Sequence, residues 1–155
     1  MNSLRQTTSL LRDSYPIFFQ LSGVHENLPI QEVLAILEGE EYSYKVTKKG
    51  NQYLIVNASL ACGYRTAFRA SYCRRSIRIL KQSTVDTSET TPTITTAISR
   101  DIDFTDFFQN NETFLVRVYR IGKASSNFLT TDLERSIGKV IWQQTKGLLT
   151  KSESD

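Results

Sequence analysis

The succession of strand and helix patterns between residues 16 and 81 restricts the fold of this chain more than any other feature of its sequence. Short runs of apolar and aromatic residues indicate strands, and apolar residues repeated every three or four positions indicate helices. The predicted order is strand, helix, strand, strand, helix, strand, over residues 16–22, 27–39, 42–47, 52–57, 59–70 and 72–81.

This order predicts an α+β, ferredoxin-like βαββαβ domain over residues 14–82. Asn27 offers a helix N-cap, Pro29 fits the first helical turn, and the helix is expected to end near Gly39. Its buried stripe is expected to contain Ile30, Val33, Leu34 and Leu37. The turn of the central hairpin is predicted at residues 48–51, because Gly50 and Asn51 accept positive φ angles.

A second, α/β domain is predicted over residues 93–150, and a Ser/Thr-rich linker over residues 83–92 precedes it. A chain of 155 residues has room for two small domains. Short helical pieces are expected at 93–100 and 103–109, where Phe104, Phe107 and Phe108 are expected to be core residues.

The end of this domain carries its clearest local patterns. Residues 113–121 alternate as a strand. Thr131 and Glu134 have the spacing of a capping box at the start of a helix that ends near Gly147.

Charge is strongly segregated along the chain, although its formal net charge is only +3. Residues 58–82 carry six basic and no acidic side chains, residues 83–112 carry six acidic and one basic, and residues 113–151 carry seven basic and two acidic. Basic blocks interleaved with aromatic and small polar residues are typical of proteins that bind a phosphate backbone. Alternatively, these blocks are solvated faces that only keep the protein soluble.

The composition offers little for catalysis. A single histidine and two cysteines cannot form a zinc site with four such ligands, and the seven glycines are all isolated, so no phosphate-binding glycine loop is present. A cysteine nucleophile would have to combine His25 with Cys62 or Cys73, none of which lies in a recognisable motif. Two cysteines and the lack of a membrane-spanning apolar run predict a cytoplasmic protein that needs neither a disulfide framework nor a membrane.

Two parts of the chain resemble a known family. Residues 114–123 (Phe-Leu-Val-Arg-Val-Tyr-Arg-Ile-Gly-Lys) and 133–139 (Leu-Glu-Arg-Ser-Ile-Gly-Lys) resemble the signature of THUMP domains. Residues 19–29 (Phe-Gln-Leu-Ser-Gly-Val-His-Glu-Asn-Leu-Pro) resemble the N-terminal ferredoxin-like domain of archaeal tRNA guanosine-10 N2-methyltransferases. The matches cover roughly residues 16–147 in order.

The resemblance implies the RNA-binding half of a tRNA guanine-N2 methyltransferase, which holds tRNA by its acceptor stem and single-stranded 3′ end. S-adenosylmethionine is expected to bind a linked or partner catalytic domain, since this chain has no glycine-rich cofactor loop. The resemblance further implies that the THUMP-like domain is incomplete. Its C-terminal strands are missing, which would leave residues 113–121 as an unpaired sheet edge.

The candidate RNA-binding residues come from both basic blocks. Because a helix N-terminus attracts phosphate, we expect the loop before the last helix and the polar face of that helix to contact the RNA backbone. These candidates are Arg117, Arg120, Lys123, Ser125, Asn127, Thr130, Arg135 and Lys139, with Arg74, Arg75 and Arg78 on the last ferredoxin-like strand. Alternatively, Arg135 and Lys139 pair with acids on a solvated helix face. No catalytic residue and no metal ligand is expected.

Three hypotheses remain open on sequence alone. The first is a tRNA-binding module, and the second is a protein-interaction subunit that docks through an open sheet edge and the acidic block at 83–112. The third is a freestanding enzyme with an unrecognised site, which the missing glycine loops disfavour.

Overall fold

The computed structural model describes residues 14–86, 88–121 and 129–146. The chain divides into two compact units, a first unit that ends at Leu80 and a second unit that begins at Lys81. This division falls next to the predicted end of the first domain at residue 82.

The first unit is an α+β layer built on a four-stranded antiparallel sheet with the strand order β2-β3-β1-β4. Its elements in chain order are β1 (Tyr15–Leu21), α1 (Leu28–Gly39), β2 (Lys45–Gly50), β3 (Tyr53–Ala58), α2 (Leu60–Arg69) and β4 (Cys73–Arg78). All six predicted elements are present in the predicted order. The two central strands, β1 and β3, have the most apolar sequences, and the buried residues of the sheet lie on them.

Both helices of the first unit pack on the same face of the sheet. Every second residue of β1 is buried there, and these residues join Val33 and Leu37 of α1 and Cys62 of α2 in one hydrophobic cluster. Gly63 allows the close approach of α2, since a Cβ atom at this position would lie 2.7 Å from Ser76 Oγ and 3.2 Å from Ile17 Cγ2. The core therefore lies between the helices and one face of the sheet.

The central hairpin turns later than predicted. Lys48, Lys49 and Gly50 belong to β2, and the turn is formed by Asn51 and Gln52. Gln52 adopts the positive φ, 70°, that the prediction assigned to Gly50 and Asn51. A side chain at Gly50 would collide with the ring of Tyr53, so the glycine serves packing across the hairpin.

The second unit contains three described helical elements: α3 (Thr91–Ser99), a 3-10 turn (Phe104–Phe107) and α4 (Thr130–Thr145). The helix α3 begins at Thr91, with Pro92 in its first turn, next to the end of the predicted linker. Ile94, Phe104, Leu133 and Ile141 are buried, whereas Phe107 is 42% exposed and Phe108 packs against Phe114.

Residues 113–121 are not a strand, which corrects the strongest strand prediction. Their alternating sequence is suited to a sheet, but a strand requires a partner for its backbone groups, and the described chain supplies none. Instead, the Val118 N–H donates to Glu134 Oε1 on α4 over 2.8 Å, and Val116 Cγ2 lies 3.8 Å from the position of a Cβ at Gly138. Residues 113–121 therefore lie against α4 and are fixed to it by these contacts.

The predicted capping box at the start of α4 is also wrong. The helix begins at Thr130 after Leu129, without a side-chain hydrogen bond at its cap. Glu134 does not return to the helix N-terminus, because its carboxylate binds Val118 and faces Arg117. None of the described helices combines the length and the apolar character needed to cross a bilayer.

Candidate nucleic-acid interface

The three candidate arginines of the first unit lie on the edge strand β4, and all three are exposed. Residues opposite one another in an antiparallel pair share a face of the sheet. Arg75 lies opposite Gln20, on the face away from the helices, and donates to Gln20 Oε1 over 2.7 Å. Arg78 lies opposite Ile17, on the helix side, and its guanidinium carbon is 4.4 Å from the centre of the Tyr15 ring.

All three arginines of β4 are exposed, so they are accessible along this border of the sheet. Acidic side chains are absent from the four strands, whose charged residues are Lys45, Lys48, Lys49, Arg74, Arg75 and Arg78. The positive potential of this sheet is therefore not offset within its own strands.

Two other arginines of the first unit are differently placed. Arg65 and Arg69 on α2 pair with Glu40, with a distance of 3.8 Å between Arg65 Nη1 and Glu40 Oε2. The hydrogen bond from Arg69 is the main cause of the lowered pKa of Glu40. These two arginines belong to the same acid-free sequence block as Arg74 but have a local acidic partner.

In the second unit, Arg135 and Lys139 occupy the exposed face of α4, as the helical spacing predicts. Arg135 Nη1 lies 3.9 Å from Asp132 Oδ1, which is the solvated pairing that the alternative interpretation predicts for Arg135. An exposed pair at this distance contributes little stability, so it leaves Arg135 accessible to another anion. Thr130 is the first residue of the helix and is half-buried.

Arg117 and Arg120 lie in the extended segment that precedes residue 122, and both are exposed. Arg117 Nη1 is 3.7 Å from Glu134 Oε2 and also donates to the carbonyl oxygen of Val116. Arg117 is therefore partly engaged in fixing its segment to α4. The remaining loop candidates, Lys123, Ser125 and Asn127, lie outside the described residues.

Sequence reasoning missed the face of the sheet that points away from the helices. Phe18 of β1 and Tyr53 of β3 lie there with near-parallel rings, 5.9 Å between ring centres and 13° between planes. Both residues fall in predicted strands, so the sequence predicts that each is an aromatic residue of a strand. The sequence does not give the register between β1 and β3, and this register determines that the two rings lie on the same face.

No nucleophilic arrangement is formed by the cysteines and His25. Burial raises the pKa of both Cys62 and Cys73 to about 11, which keeps these thiols protonated at neutral pH. His25 is exposed in the loop before α1, where its ring meets Tyr72 edge-on. Within the part of the chain that the structure describes, no three His, Cys, Asp or Glu residues are grouped to hold a metal ion.

Comparison with known proteins does not identify a family. No protein-family model matches this sequence, and no curated protein matches it significantly.

Proposed function

We propose that this chain is a tRNA-binding module with a ferredoxin-like first unit and a THUMP-like second unit. We further propose that the chain is part of an S-adenosylmethionine-dependent tRNA guanine-N2 methyltransferase. The antiparallel strand order β2-β3-β1-β4, with both helices on one face, supports the ferredoxin-like part. The resemblance of residues 114–123 and 133–139 supports the THUMP-like part.

The observation that carries the proposal is the arginine-rich edge of an acid-free sheet. Arg74, Arg75 and Arg78 are exposed within six residues of β4. Guanidinium groups bind phosphate through several donors at once, and their attraction to a nucleic-acid backbone grows as counterions are released. An acceptor stem along this edge would contact arginines from both faces of the strand.

The basic face of α4 would provide the second contact. Arg135 and Lys139 are one helical turn apart and both exposed, so they can approach successive phosphates. Because phosphate contacts position an RNA without reading its sequence, these contacts would place the tRNA but would not select the modified guanine. S-adenosylmethionine would bind a linked or partner catalytic domain. The free thiols of Cys62 and Cys73 support a reducing compartment, the cytoplasm.

A protein-interaction role is the second candidate, and one observation favours it. Tyr64 and Phe68 on α2 are 76% and 83% exposed and line a groove of about 430 Å³ together with Glu40, Arg65 and Arg69. Large exposed aromatic residues are typical of contact sites between proteins. The route proposed from sequence, an open strand edge at residues 113–121, loses its basis because this segment is not a strand.

Binding of an intact tRNA and of the same tRNA without its single-stranded 3′ end, each at two salt concentrations, tests the proposal. We expect the chain to bind the intact tRNA more tightly, and both complexes to weaken at the higher salt concentration. Equal affinity for the two RNAs would contradict the assigned 3′-end recognition. Binding of neither would leave the protein-interaction role as the better account.

A further inference from the structure

The sheet of the first unit has a second face, which its two helices leave open. The buried residues Ile17, Phe19 and Leu21 of β1 face the helices, so Phe18 and Gln20 point the other way. Strand register places Ile55 and Ile77 beside Phe18, and Tyr53 and Arg75 beside Gln20. We call these residues, with Lys45, Lys48 and Asn57, the open face; Ile55 is buried between its neighbours on this face.

Two aromatic rings form the centre of the open face. Phe18 and Tyr53 come from the two central strands and are diagonal neighbours, with ring centres 5.9 Å apart. Both side chains are half-buried, and the adjacent Ile77 is 45% exposed. The ring of Tyr53 extends across Gly50, where a Cβ atom would lie 2.4 Å from Tyr53 Cε1. Because Gly50 has no side chain, the Tyr53 ring can pack over the backbone of the hairpin at this position.

Cations flank this aromatic pair on both edge strands. Lys48 and Lys45 of β2 lie opposite Ile55 and Asn57, and Arg75 of β4 lies opposite Gln20. No acidic residue occurs in any of the four strands. Binding of another protein through apolar contacts alone would not require basic side chains on both edge strands. A polyanion with stackable groups fits this combination of charge and aromatic character.

We propose that the open face binds a single-stranded RNA segment. Phe18 and Tyr53 stack on its bases, while Lys45, Lys48 and Arg75 contact its phosphates. Gln20 and Asn57, on the same face, offer amide groups to base edges. The ligand is single-stranded because the base faces in a duplex are already stacked on one another. Strand spacing sets about 14 Å between β2 and β4, which is room for two or three nucleotides.

This inference rests on the proposed RNA-binding function and deepens it, because it assigns the single-stranded part of the RNA to the first unit. Its aromatic stacking differs in chemistry from the arginine contacts proposed above, although Arg75 of β4 belongs to both surfaces. Stacking depends on ring faces and is tolerant of sequence, whereas phosphate contacts depend on charge and respond to salt. The two can therefore fail separately.

Fluorescence anisotropy with a labelled eight-nucleotide oligouridine tests the open face. Phe18→Leu and Tyr53→Leu are each expected to weaken binding by about 5- to 150-fold, the range for loss of one stacked base. The matched controls, Phe68→Leu and Tyr64→Leu, remove exposed aromatic rings from α2 and are expected to leave affinity unchanged. Circular dichroism establishes that each variant keeps its fold.

A second pair of variants does not depend on the aromatic residues. Lys48 and Lys49 are adjacent and exposed, but Lys48 lies opposite Ile55 on the open face and Lys49 lies opposite Leu54 on the helix side. Lys48→Gln is expected to lower the salt dependence of oligouridine binding by about 0.7 in the log–log slope, and Lys49→Gln to leave it unchanged. Both variants lose one charge, so net charge cannot explain a difference.

Several results would overturn the inference. These are unchanged oligouridine affinity in the Phe18 and Tyr53 variants, an equal effect of the two lysine variants, or equal competition by an RNA duplex. If such a result accompanies salt-dependent tRNA binding, the open face is refuted and the tRNA proposal stands. If oligouridine binds through Phe18 and Tyr53 but tRNA does not bind, the tRNA proposal fails instead. Absence of binding to either RNA refutes both.

Discussion

Glu134 shows how a single side chain can replace the partner that a strand would need. Its carboxylate accepts the Val118 N–H over 2.8 Å and lies 3.7 Å from Arg117 Nη1, so it fixes the segment 113–121 to α4. A hydrogen bond from a backbone amide to a carboxylate is stronger than one between neutral groups. The contact joins residues 16 positions apart, which no local sequence pattern predicts.

Glu134→Ala is expected to speed amide exchange at Val118 by about ten- to a hundred-fold, because the amide loses a charged acceptor. Hydrogen exchange of the segment 114–121 measures this. Asp132→Ala is the matched control: it removes a carboxylate from the same helix, one whose ion-pair partner is Arg135. Equal exchange in the two variants would show that Glu134 does not hold the segment.

The two thiols allow a pH prediction at the same scale. Burial raises the pKa of Cys62 and Cys73 from 9.0 to about 11, so about one thiol in a thousand is ionised at pH 8. Because the folded chain binds these protons more tightly than the unfolded chain, its stability falls as pH rises from 9 to 11. A disulfide reagent at pH 8 should label the native chain slowly and the denatured chain at once. Fast labelling of native Cys62 would contradict its burial.

At the scale of elements, Gly63 determines how closely α2 approaches the sheet. A Cβ at this position would lie 2.7 Å from Ser76 Oγ, closer than packed atoms allow, and 3.2 Å from Ile17 Cγ2, which is a tight contact. The clash should outweigh the gain in helix propensity, so Gly63→Ala is expected to lower the free energy of unfolding by about 1–3 kcal/mol.

Gly39 provides the control for this prediction. It is the last residue of α1, and a Cβ there would meet no atom within 4 Å. Gly39→Ala should therefore change the unfolding free energy by less than about 1 kcal/mol, in the stabilising direction. Urea unfolding of both variants measures the difference. An equal effect of the two substitutions would show that α2 does not require the glycine for its packing.

Local signals predicted the elements of the first unit because each element matches its own sequence pattern. Pro29 lies in the first turn of α1 and Gly39 ends this helix, and the apolar runs of β1 and β3 become the central strands. The errors arose where a pattern needs a distant partner. Residues 113–121 alternate as a strand should, but alternation does not supply the neighbouring strand. Likewise, Glu134 has capping-box spacing but binds Val118.

For the whole molecule, the charge pattern predicted which regions are basic but not how their side chains are arranged. Within the basic block at 58–82, Arg65 and Arg69 on α2 pair with Glu40, whereas Arg74, Arg75 and Arg78 lie on β4. The open face was not visible either, since Phe18 and Tyr53 are 35 positions apart and meet only through strand pairing. Composition thus predicts which regions are basic, and strand register decides which side chains share a surface.

The most direct test of tRNA binding is the salt dependence of affinity for an intact tRNA, measured for the wild-type chain and for two double variants. Arg74→Gln with Arg78→Gln removes exposed arginines of β4, whereas Arg65→Gln with Arg69→Gln removes the same charge from the pairs with Glu40. We predict salt-sensitive binding whose log–log slope falls by about 1.8 in the β4 variant, about 0.9 for each phosphate contact, and stays unchanged in the control. Affinity that does not depend on salt concentration, or an equal slope in both double variants, would contradict tRNA binding through the arginines of β4.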